Sequence, residues 1–497
     1  MSVSGRISGA GYSTAQSISQ IRAEIDDLSR QLSTGKRAQS LSEMGSFLSK
    51  SIDLRSRLAR LSVYDDAITN TNMNIDSRTN VIKSFSEVSN QVEINSLNPS
   101  TAPEPSNRTT VRTNVRRQFS QLVDYLNTEL NGTYLFGGKE SGSAPVLDAN
   151  LILDGGGGKA GLSQYISERQ AADLGANGQG RLQVSSTGSV VSFGETVPGS
   201  LFGFTLKGVT SQDSGITLGA PTGTPPQATA SLNAQPAAGS TITVTLGLPD
   251  GSTMDVTLTA AGGAGTNGFA IGATTAQTAG NIATALQSAL QTAGKIQLAA
   301  ASAKSAALDF FKGSSTNPPR RVAGPPYDSA TNFVAGNANN TVLWYQGTDD
   351  TNDPRDDVVA KISERLSLAF GARANEVGFA ETLAGTAIMA VTNFSTTDEP
   401  LAKQQFSEMR DRARSIFAQA KTDVTSTNVS LINAQTIAKT NSNDQKSEKA
   451  IYETALANGE NVPLEQTAVS LTSLQTQLQA LYQLTAKLQS LSLANYI

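Results

Sequence analysis

The run Gly155–Lys159 is the stretch of this chain that most invites a phosphate-binding interpretation. A P-loop needs a glycine six residues before its lysine and a serine or threonine directly after it. Leu153 and Ala160 occupy those two places. The spacing therefore favours a flexible glycine loop over a phosphate site.

Two further groups of charged side chains could bind ligands. Five aspartates between residues 349 and 357 could coordinate calcium, but Pro354 stands where an EF-hand loop needs glycine, so a solvated acidic loop is favoured. Arg108, Arg112, Arg116 and Arg117 could contact nucleic acid, yet at helical spacing they are better explained as partners of acidic residues in a helical bundle.

Composition excludes most catalytic chemistry. The chain has no histidine and no cysteine, which removes imidazole bases, thiolate nucleophiles and the usual zinc ligands. A net charge of -4 argues against a general nucleic-acid partner. No segment approaches the roughly 18 apolar residues that suggest a membrane span. We therefore expect no catalytic residue, cofactor or metal, and a protein that is not an enzyme.

The two ends of the chain carry the apolar spacing of helices that pack against other helices, with repeats of three and four residues. Gly35 marks the end of the first helix. Between Gln466 and Ile497 the only charged side chain is Lys487, so the last helix has an almost uncharged polar face. We expect this face to touch other subunits. The apolar residues, called the terminal seam below, are Ile18, Ile21, Ile25, Leu28 and Leu32, with Leu471, Leu474, Leu478, Leu481, Leu488 and Leu491.

Longer helical patterns lie inside the terminal ones. One runs from about Leu48 to Ile94, and four of its apolar residues are seven apart: Leu61, Ile68, Ile75 and Ile82. A third helix is predicted from about Asn107 to the pair Asn131-Gly132. Helical patterning returns near Asp356, with apolar residues at 358, 359, 362, 366 and 370. The longest returning helix is predicted from about Leu401 to Ala457, ended by Asn458-Gly459.

Between about residues 141 and 340 the composition shifts to glycine, threonine and alanine. A hairpin is predicted around the turn Pro249–Gly251, and a short helix from Ala276 to Thr292. We expect a mainly α protein with a β-rich insert, built as an elongated antiparallel helical bundle or coiled coil from both termini. We predict three domains: residues 1–40 together with 460–497, residues 41–140 together with 341–459, and residues 141–340.

This plan resembles the bacterial flagellin family over about residues 1–145 and 341–497. The most similar motifs are LSTGKR at Leu32–Arg37 and LTAKLQSLSLANYI at Leu484–Ile497. Three segments are more similar to the family's hook-associated, junction-forming members than to main filament flagellins: Asn131–Gly138, Trp344–Gly347 and Phe370–Glu376. A junction subunit between hook and filament is favoured, with a major filament flagellin as the alternative.

The resemblance implies a non-enzymatic, self-assembling structural subunit of the extracellular flagellum. Its terminal helices would pair as an inner coiled coil, and the insert would lie outside. The partners implied are copies of itself or other flagellins, hook-associated proteins, an export chaperone and the flagellar type III export apparatus. Because the first sixteen residues lack the apolar core of a secretory signal, we expect export without a cleaved signal peptide.

An alternative from another class is a coiled-coil adhesin or fibre whose insert binds a glycan. It predicts a trimer of fixed size and a secretion signal.

Overall fold

The computed structural model describes residues 4–98, 105–260, 267–397 and 399–494. Side chains are described from residue 13 to residue 490, apart from those of residues 41 and 106 within these ranges. The chain forms two compact units. Unit 1 takes the described residues up to 71, residues 360–367 and those from 436 onward, and unit 2 takes 72–359 and 368–435. The three-part division expected from sequence stays a prediction.

Helices account for most of the chain outside the insert, which confirms a mainly α fold with long terminal helices and a central β-rich region. In chain order they are Ser4–Thr34 (α1), Leu48–Ser96 (α2), Arg108–Leu126 (α3), Ala149–Asp154 (α4), Leu162–Leu174 (α5), Thr275–Ala293 (α6), Ala299–Lys312 (α7), Val377–Val391 (α8), Pro400–Glu460 (α9) and Leu464–Ala494 (α10).

Strands occur mainly in the insert. In chain order they are Glu129–Leu130 (β1), Thr133–Tyr134 (β2), Gly155–Gly156 (β3), Lys159–Ala160 (β4), Leu182–Thr187 (β5), Val190–Glu195 (β6), Thr205–Ser211 (β7), Ile216–Thr222 (β8), Gln227–Leu232 (β9), Thr241–Gly247 (β10), Thr253–Ala260 (β11), Gly268–Phe269 (β12), Arg321–Val322 (β13), Phe333–Val334 (β14), Val359–Lys361 (β15) and Ser367–Ala369 (β16).

The long helix α2 follows its sequence pattern closely. Its 49 residues contain neither glycine nor proline, so nothing in the backbone chemistry interrupts it. The four residues seven apart, from Leu61 to Ile82, are all buried. In α9, Pro400 stands at the first helical position, where its missing N–H is not needed. The predicted extents of both helices are confirmed to within a few residues.

The segment predicted to be helical after Asp356 is instead a hairpin, so that prediction was wrong. A short 3-10 turn covers Pro354–Asp357, and β15 then pairs with β16. The N–H groups of Ile362 and Ser363 both donate to the carbonyl of Leu366, which closes the turn. The apolar residues here are one, three or four positions apart, which suits a helix, but over so short a segment this spacing does not exclude a hairpin.

One predicted helix end was misplaced, and one glycine predicted to end a helix has another role. Asn131 and Gly132 both have positive φ, of 52° and 79°, and form the turn of the β1–β2 hairpin, while α3 ends earlier at Leu126. Gly459 lies inside the last turn of α9, which continues to Glu460. A Cβ at Gly459 would stand 1.9 Å from the ring of Phe47, so the glycine permits a close approach instead of ending the helix.

The insert contains two four-stranded sheets, ordered β5-β6-β9-β8 and β12-β11-β10-β7. The predicted hairpin is confirmed as β10 paired antiparallel with β11, with Val244 opposite Val256. Inner-face residues of both sheets and one face of α6 form a single apolar core. The predicted helix at Ala276–Thr292 is confirmed by α6, and a π-turn at Gly294–Leu298 joins it to α7.

Of the helices in the insert, sequence analysis predicted α6 and missed α4, α5 and α7. Helices α5 and α7 pack against each other, and α7 packs against α8. Much of α7 is alanine, with Ala300, Ala301, Ala303 and Ala307 almost inaccessible to solvent. Alanine carries little apolar signal although it is the best helix former, so apolar periodicity does not detect such a helix well.

Candidate assembly interface

The terminal helices α1 and α10 pack against each other in unit 1. The N–H of Val462 donates to the carbonyl of Gly35 at 3.1 Å, and further along the pair the guanidinium of Arg22 lies 5.5 Å from the ring centre of Tyr482. As residue numbers fall along α1 they rise along α10, so the two helices are antiparallel.

The terminal seam lies along the contact of this pair. Nine of its residues are half-buried, whereas most of their neighbours in sequence are exposed. These nine are Ile18, Ile21, Ile25, Leu28, Leu32, Leu471, Leu474, Leu478 and Leu481. Leu488 is 37% exposed, and the side chain of Leu491 lies outside the described residues. None of the nine is fully buried in a single copy.

Helix α10 also exposes apolar side chains beyond the seam, which sequence analysis did not single out. Val469 is 70% exposed, Leu484 49% and Tyr482 39%. Water-facing helices usually carry charged residues at such positions. On α10 only Glu465 and Lys487 are charged. A single copy therefore leaves α10 with an apolar and uncharged surface in contact with solvent.

Where α1 ends and α10 begins, residues 35–37 and residues 460–462 are hydrogen-bonded to each other, and these two segments are called the connection below. Gly35 has φ of 69° and its N–H donates to the carbonyl of Gln31, so α1 ends in a left-handed glycine as predicted. The N–H of Arg37 donates to the carbonyl of Glu460 at 2.8 Å. The ammonium of Lys36 donates to Oδ1 of Asn461 at 2.7 Å.

Glu460 is the charged group at the centre of this connection. Its side chain is 9% exposed and accepts hydrogen bonds from Ser51 Oγ at 2.8 Å and from Arg55 Nη2 at 2.9 Å. Burial alone raises the pKa of Glu460, but the hydrogen bonds from Arg55 and Ser51 outweigh it, so its pKa lies below the ordinary value. The carboxylate thus ties the end of α9 to the start of α2.

Sequence analysis did not identify this connection. Ser51 and Arg55 lie on one face of α2, four residues apart, but their partner is 405 positions from Arg55 along the chain. The visible signals were the glycines at 35 and 459, each interpreted only as a helix end. Glu460, the acidic residue next to Gly459, belongs to no motif or spacing that marks it in the sequence.

In unit 2 the structure brings together two of the motifs that carry the family resemblance. The N–H of Ala374 donates to the carbonyl of Phe136 at 2.9 Å, and Gly137 forms a β-bridge with Arg373. The guanidinium of Arg78 on α2 donates to the carbonyl of Leu135. Burial lowers the pKa of Arg78 to about 10, with a smaller effect from the charge of Arg355. The two motifs therefore form one packed element.

The acidic segment 349–357 is held by this element and is not a simple solvated loop. Arg373 is 2% exposed and forms ion pairs with Asp350 and with Asp357, whose side chain is inaccessible to solvent. The hydrogen bond from Arg373 holds the pKa of Asp350 well below its usual range. Within the described residues no group of three acidic side chains is arranged to hold a metal ion.

The remaining chemical candidates have structural partners. Arg116 forms an ion pair with Asp154, as expected, but Arg108 donates to the carbonyls of Ser395 and Thr397, so the expectation of acidic partners was wrong for it. Arg112 likewise donates to the carbonyl of Ala390 and to Asn393. The run Gly155–Lys159 forms the two-residue strands β3 and β4 joined by two glycines with positive φ.

Comparison with known proteins bears on the helical part of the chain. Residues 9–141 match the bacterial flagellin N-terminal helical region. The match supports the bacterial flagellin family as the family of this chain. It covers α1 from residue 9 onward, α2, α3 and the β1–β2 hairpin, and thus includes the N-terminal half of the terminal seam. No curated protein matches the chain.

Flagellin-family proteins are structural and not catalytic. The match supports a flagellin-family structural subunit of the flagellum, and the flagellin family is one whose members polymerise with other flagellins in an extracellular filament. Among the helices that the structure describes, none combines the length and apolar character that crossing a membrane requires.

Proposed function

We propose that this chain is a flagellar structural subunit that polymerises through its paired terminal helices. The observation that carries the proposal is the surface of α10 in a single copy. It exposes Val469, Tyr482 and Leu484 on a helix with two charged residues, beside a seam that is only half-buried. Large exposed apolar surfaces on soluble chains mark sites that other protein covers.

The energetics favour assembly over a free terminal pair. Full burial of a large apolar side chain is worth roughly 1.5–3 kcal/mol, so covering the half-exposed ones on α10 is worth roughly 1 kcal/mol each. A single pair of helices buries one apolar stripe only. The apolar side chains outside that stripe contribute no hydrophobic stabilisation until other copies cover them. The polar face of α10 is mostly glutamine, serine and threonine, which can form hydrogen bonds across a subunit contact without burying a charge.

Within the flagellum we propose a junction subunit between hook and filament, similar to hook-associated protein 3. The support is the similarity of Asn131–Gly138, Trp344–Gly347 and Phe370–Glu376 to that part of the family. The proposed partners are copies of the chain or other flagellins, hook-associated proteins, an export chaperone and the type III export apparatus. A major filament flagellin is the alternative. Quantifying the chain in sheared flagella separates them, because a junction subunit is confined to the hook end and a filament subunit is present along the whole length.

The polymerisation proposal is tested with Leu478→Glu. Leu478 is half-buried in the seam, so a carboxylate there faces apolar neighbours in every assembled copy. We expect the purified variant not to sediment with sheared flagellar seeds, either as a few junction copies or as longer polymer, while its circular dichroism spectrum stays close to that of the unaltered chain. Leu478→Met, which keeps volume and apolar character, is the matched control and should assemble. Deletion of 466–497 should abolish assembly as well. Normal polymer from Leu478→Glu or from the deletion variant would refute the proposal.

A further inference from the structure

Within unit 2, the two four-stranded sheets and helix α6, together called the sheet body below, are attached to two helices in different ways. The apolar core of the sheet body also takes in Leu298 and Ala301, so apolar packing fastens it to the start of α7. On α9, the side chains that bond to the insert are polar and lie on one face of the helix: Gln405, Arg412 and Ser415. The insert is therefore held to α7 by packing and to α9 by hydrogen bonds and charge.

Asp250, in the turn between β10 and β11, makes the charged contact with α9. Its side chain is 1% exposed. Oδ2 accepts from Nη1 of Arg412 at 2.8 Å and lies 3.7 Å from Nζ of Lys304 on α7. Oδ1 accepts from the N–H and the hydroxyl of Ser252, at 3.2 Å and 2.6 Å, within the same turn. Arg412 also donates to the hydroxyl of Ser252 at 2.7 Å. One carboxylate thus joins the turn to both α9 and α7.

The charge of Asp250 offsets the repulsion between two neighbouring cations. Burial alone raises the pKa of Asp250, but the hydrogen bonds from Ser252 and the charges of Arg412 and Lys304 outweigh it, so its pKa lies below the ordinary value. The side chains of Lys304 and Arg412 are 19% and 17% exposed, so both cations are largely withdrawn from water. Because both contact the same oxygen, they would stand side by side without a counter-charge if that oxygen were neutral. Removing one member of a buried ion pair is strongly unfavourable for this reason.

This contact can open without unfolding either side. The sheet body has its own apolar core, and α9 packs closely on α8, where a Cβ at Gly385 would stand 2.7 Å from the ring of Phe417. We propose that the β10–β11 turn is a latch: the charge of Asp250 holds the sheet body on α9, and without it Arg412 and Lys304 repel each other and release the turn. The sheet body then rotates about its packing on α7. Since a buried ion pair adds little net stability, the effect of the latch is to fix the angle between the insert and the helices.

The test makes the same substitution at two positions of one hairpin. Asp250→Asn keeps the size of the side chain and one oxygen, but an amide cannot accept from both sides. If its oxygen accepts from Ser252, its NH₂ group faces the two cations, and if it turns around, the donors of Ser252 lose their acceptor. Asp255→Asn is the matched control, at an exposed carboxylate on β11 that accepts from Thr245 of the neighbouring strand.

The angle of the insert is measured as a distance between two spin labels. The chain has no cysteine, so Ser186→Cys on β5 and Ala418→Cys on α9 place one label on the sheet body and one on the helix, both at exposed positions. Double electron–electron resonance on the dilute free chain gives the distribution of the distance between them. We expect Asp250→Asn to widen this distribution at least twofold and Asp255→Asn to leave it unaltered. Amide hydrogen exchange in β10 and β11 should stay within about threefold in both variants, because the sheets remain folded.

A second variant separates repulsion from the loss of a hydrogen bond. Adding Lys304→Gln to Asp250→Asn removes one of the two cations and keeps a donor for the hydroxyl of Ser415. We expect the double variant to recover at least half of the original narrowness of the distribution. If only hydrogen bonds held the turn, a second substitution at the same contact would not restore it.

Three outcomes overturn the inference. An unaltered distribution in Asp250→Asn shows that the charge does not hold the turn on α9. A wider distribution together with lost protection in β10 and β11 shows that the sheets unfold instead of rotating. A double variant as wide as Asp250→Asn shows that repulsion between the cations does not release the turn. All of these measurements use the free chain, so they are independent of whether it polymerises.

Discussion

Removing the carboxylate of Glu460 is expected to loosen the inner end of the terminal pair. In Glu460→Ala, the hydroxyl of Ser51 loses its hydrogen-bond acceptor. Because Ser51 is completely buried, leaving this hydroxyl unsatisfied costs roughly 1–2 kcal/mol of stability. The Arg55 side chain is 55% exposed, so losing its ion pair adds only about 0.5–1 kcal/mol after solvent screening. The sum is about 2 kcal/mol, or a factor of roughly 30 in a local opening equilibrium.

Hydrogen exchange measures this opening at two amides. The N–H groups of Arg37 and Val462 bond across the connection, so in Glu460→Ala they should exchange about 30-fold faster. Glu460→Gln keeps an oxygen for Ser51 and should accelerate exchange only about two- to fivefold. The amide of Ala374 in unit 2 is the internal reference and should not change.

Glu453→Ala is the matched control variant. Glu453 is on the same helix and its ion pair with Lys449 is exposed on both sides, so exchange at Arg37 and Val462 should stay within twofold. If Glu460→Ala leaves both amides within twofold of the unaltered chain, the carboxylate does not hold the connection, and the reasoning from its burial and hydrogen bonds is wrong.

The same carboxylate gives a pH dependence with a definite sign. The folded pKa of Glu460 is below its unfolded value, about 4.3, so its stabilisation is complete above that value and is lost as pH falls through the folded pKa. The difference in Tm between the unaltered chain and Glu460→Gln should therefore shrink between pH 5 and pH 3. A difference that stays constant over this range would contradict the assignment.

Two further predictions concern buried residues of unit 2. Arg373→Ala removes the closest ion-pair partner of the buried carboxylate of Asp357 and leaves it only Lys139 at 3.7 Å, so it should destabilise unit 2 by roughly 3–5 kcal/mol in urea unfolding. Lys139→Ala removes an exposed ammonium that forms longer ion pairs with Asp350 and Asp357, and it should cost less than about 1 kcal/mol. Ile75→Ala removes a fully buried side chain from α2 and should lower the free energy of unfolding in urea by roughly 2–4 kcal/mol. A decrease of less than about 1 kcal/mol would show that Ile75 is not packed as described.

Sequence by itself determined the long helices outside the insert, because the signals for helices are local. The spacing of Leu61, Ile68, Ile75 and Ile82 predicted one buried stripe, and all four are buried. Gly35 predicted the end of α1 because only glycine adopts a left-handed conformation at little cost. The β10–β11 hairpin and α6 were equally visible, since their periodicities of two and 3.6 extend over enough residues to be distinguished.

The tertiary structure decided what joins these elements. The residues at 358–370 form a hairpin although their spacing also suits a helix, and alanine-rich α7 has too few large apolar residues for a pattern. Arg373 orders the acidic segment through Asp350 and Asp357, and Glu460 meets Arg55 across 405 positions of the chain. A charged side chain carries no information about its partner in its own sequence neighbourhood. Its effect depends on burial and distance, and only the folded chain fixes those.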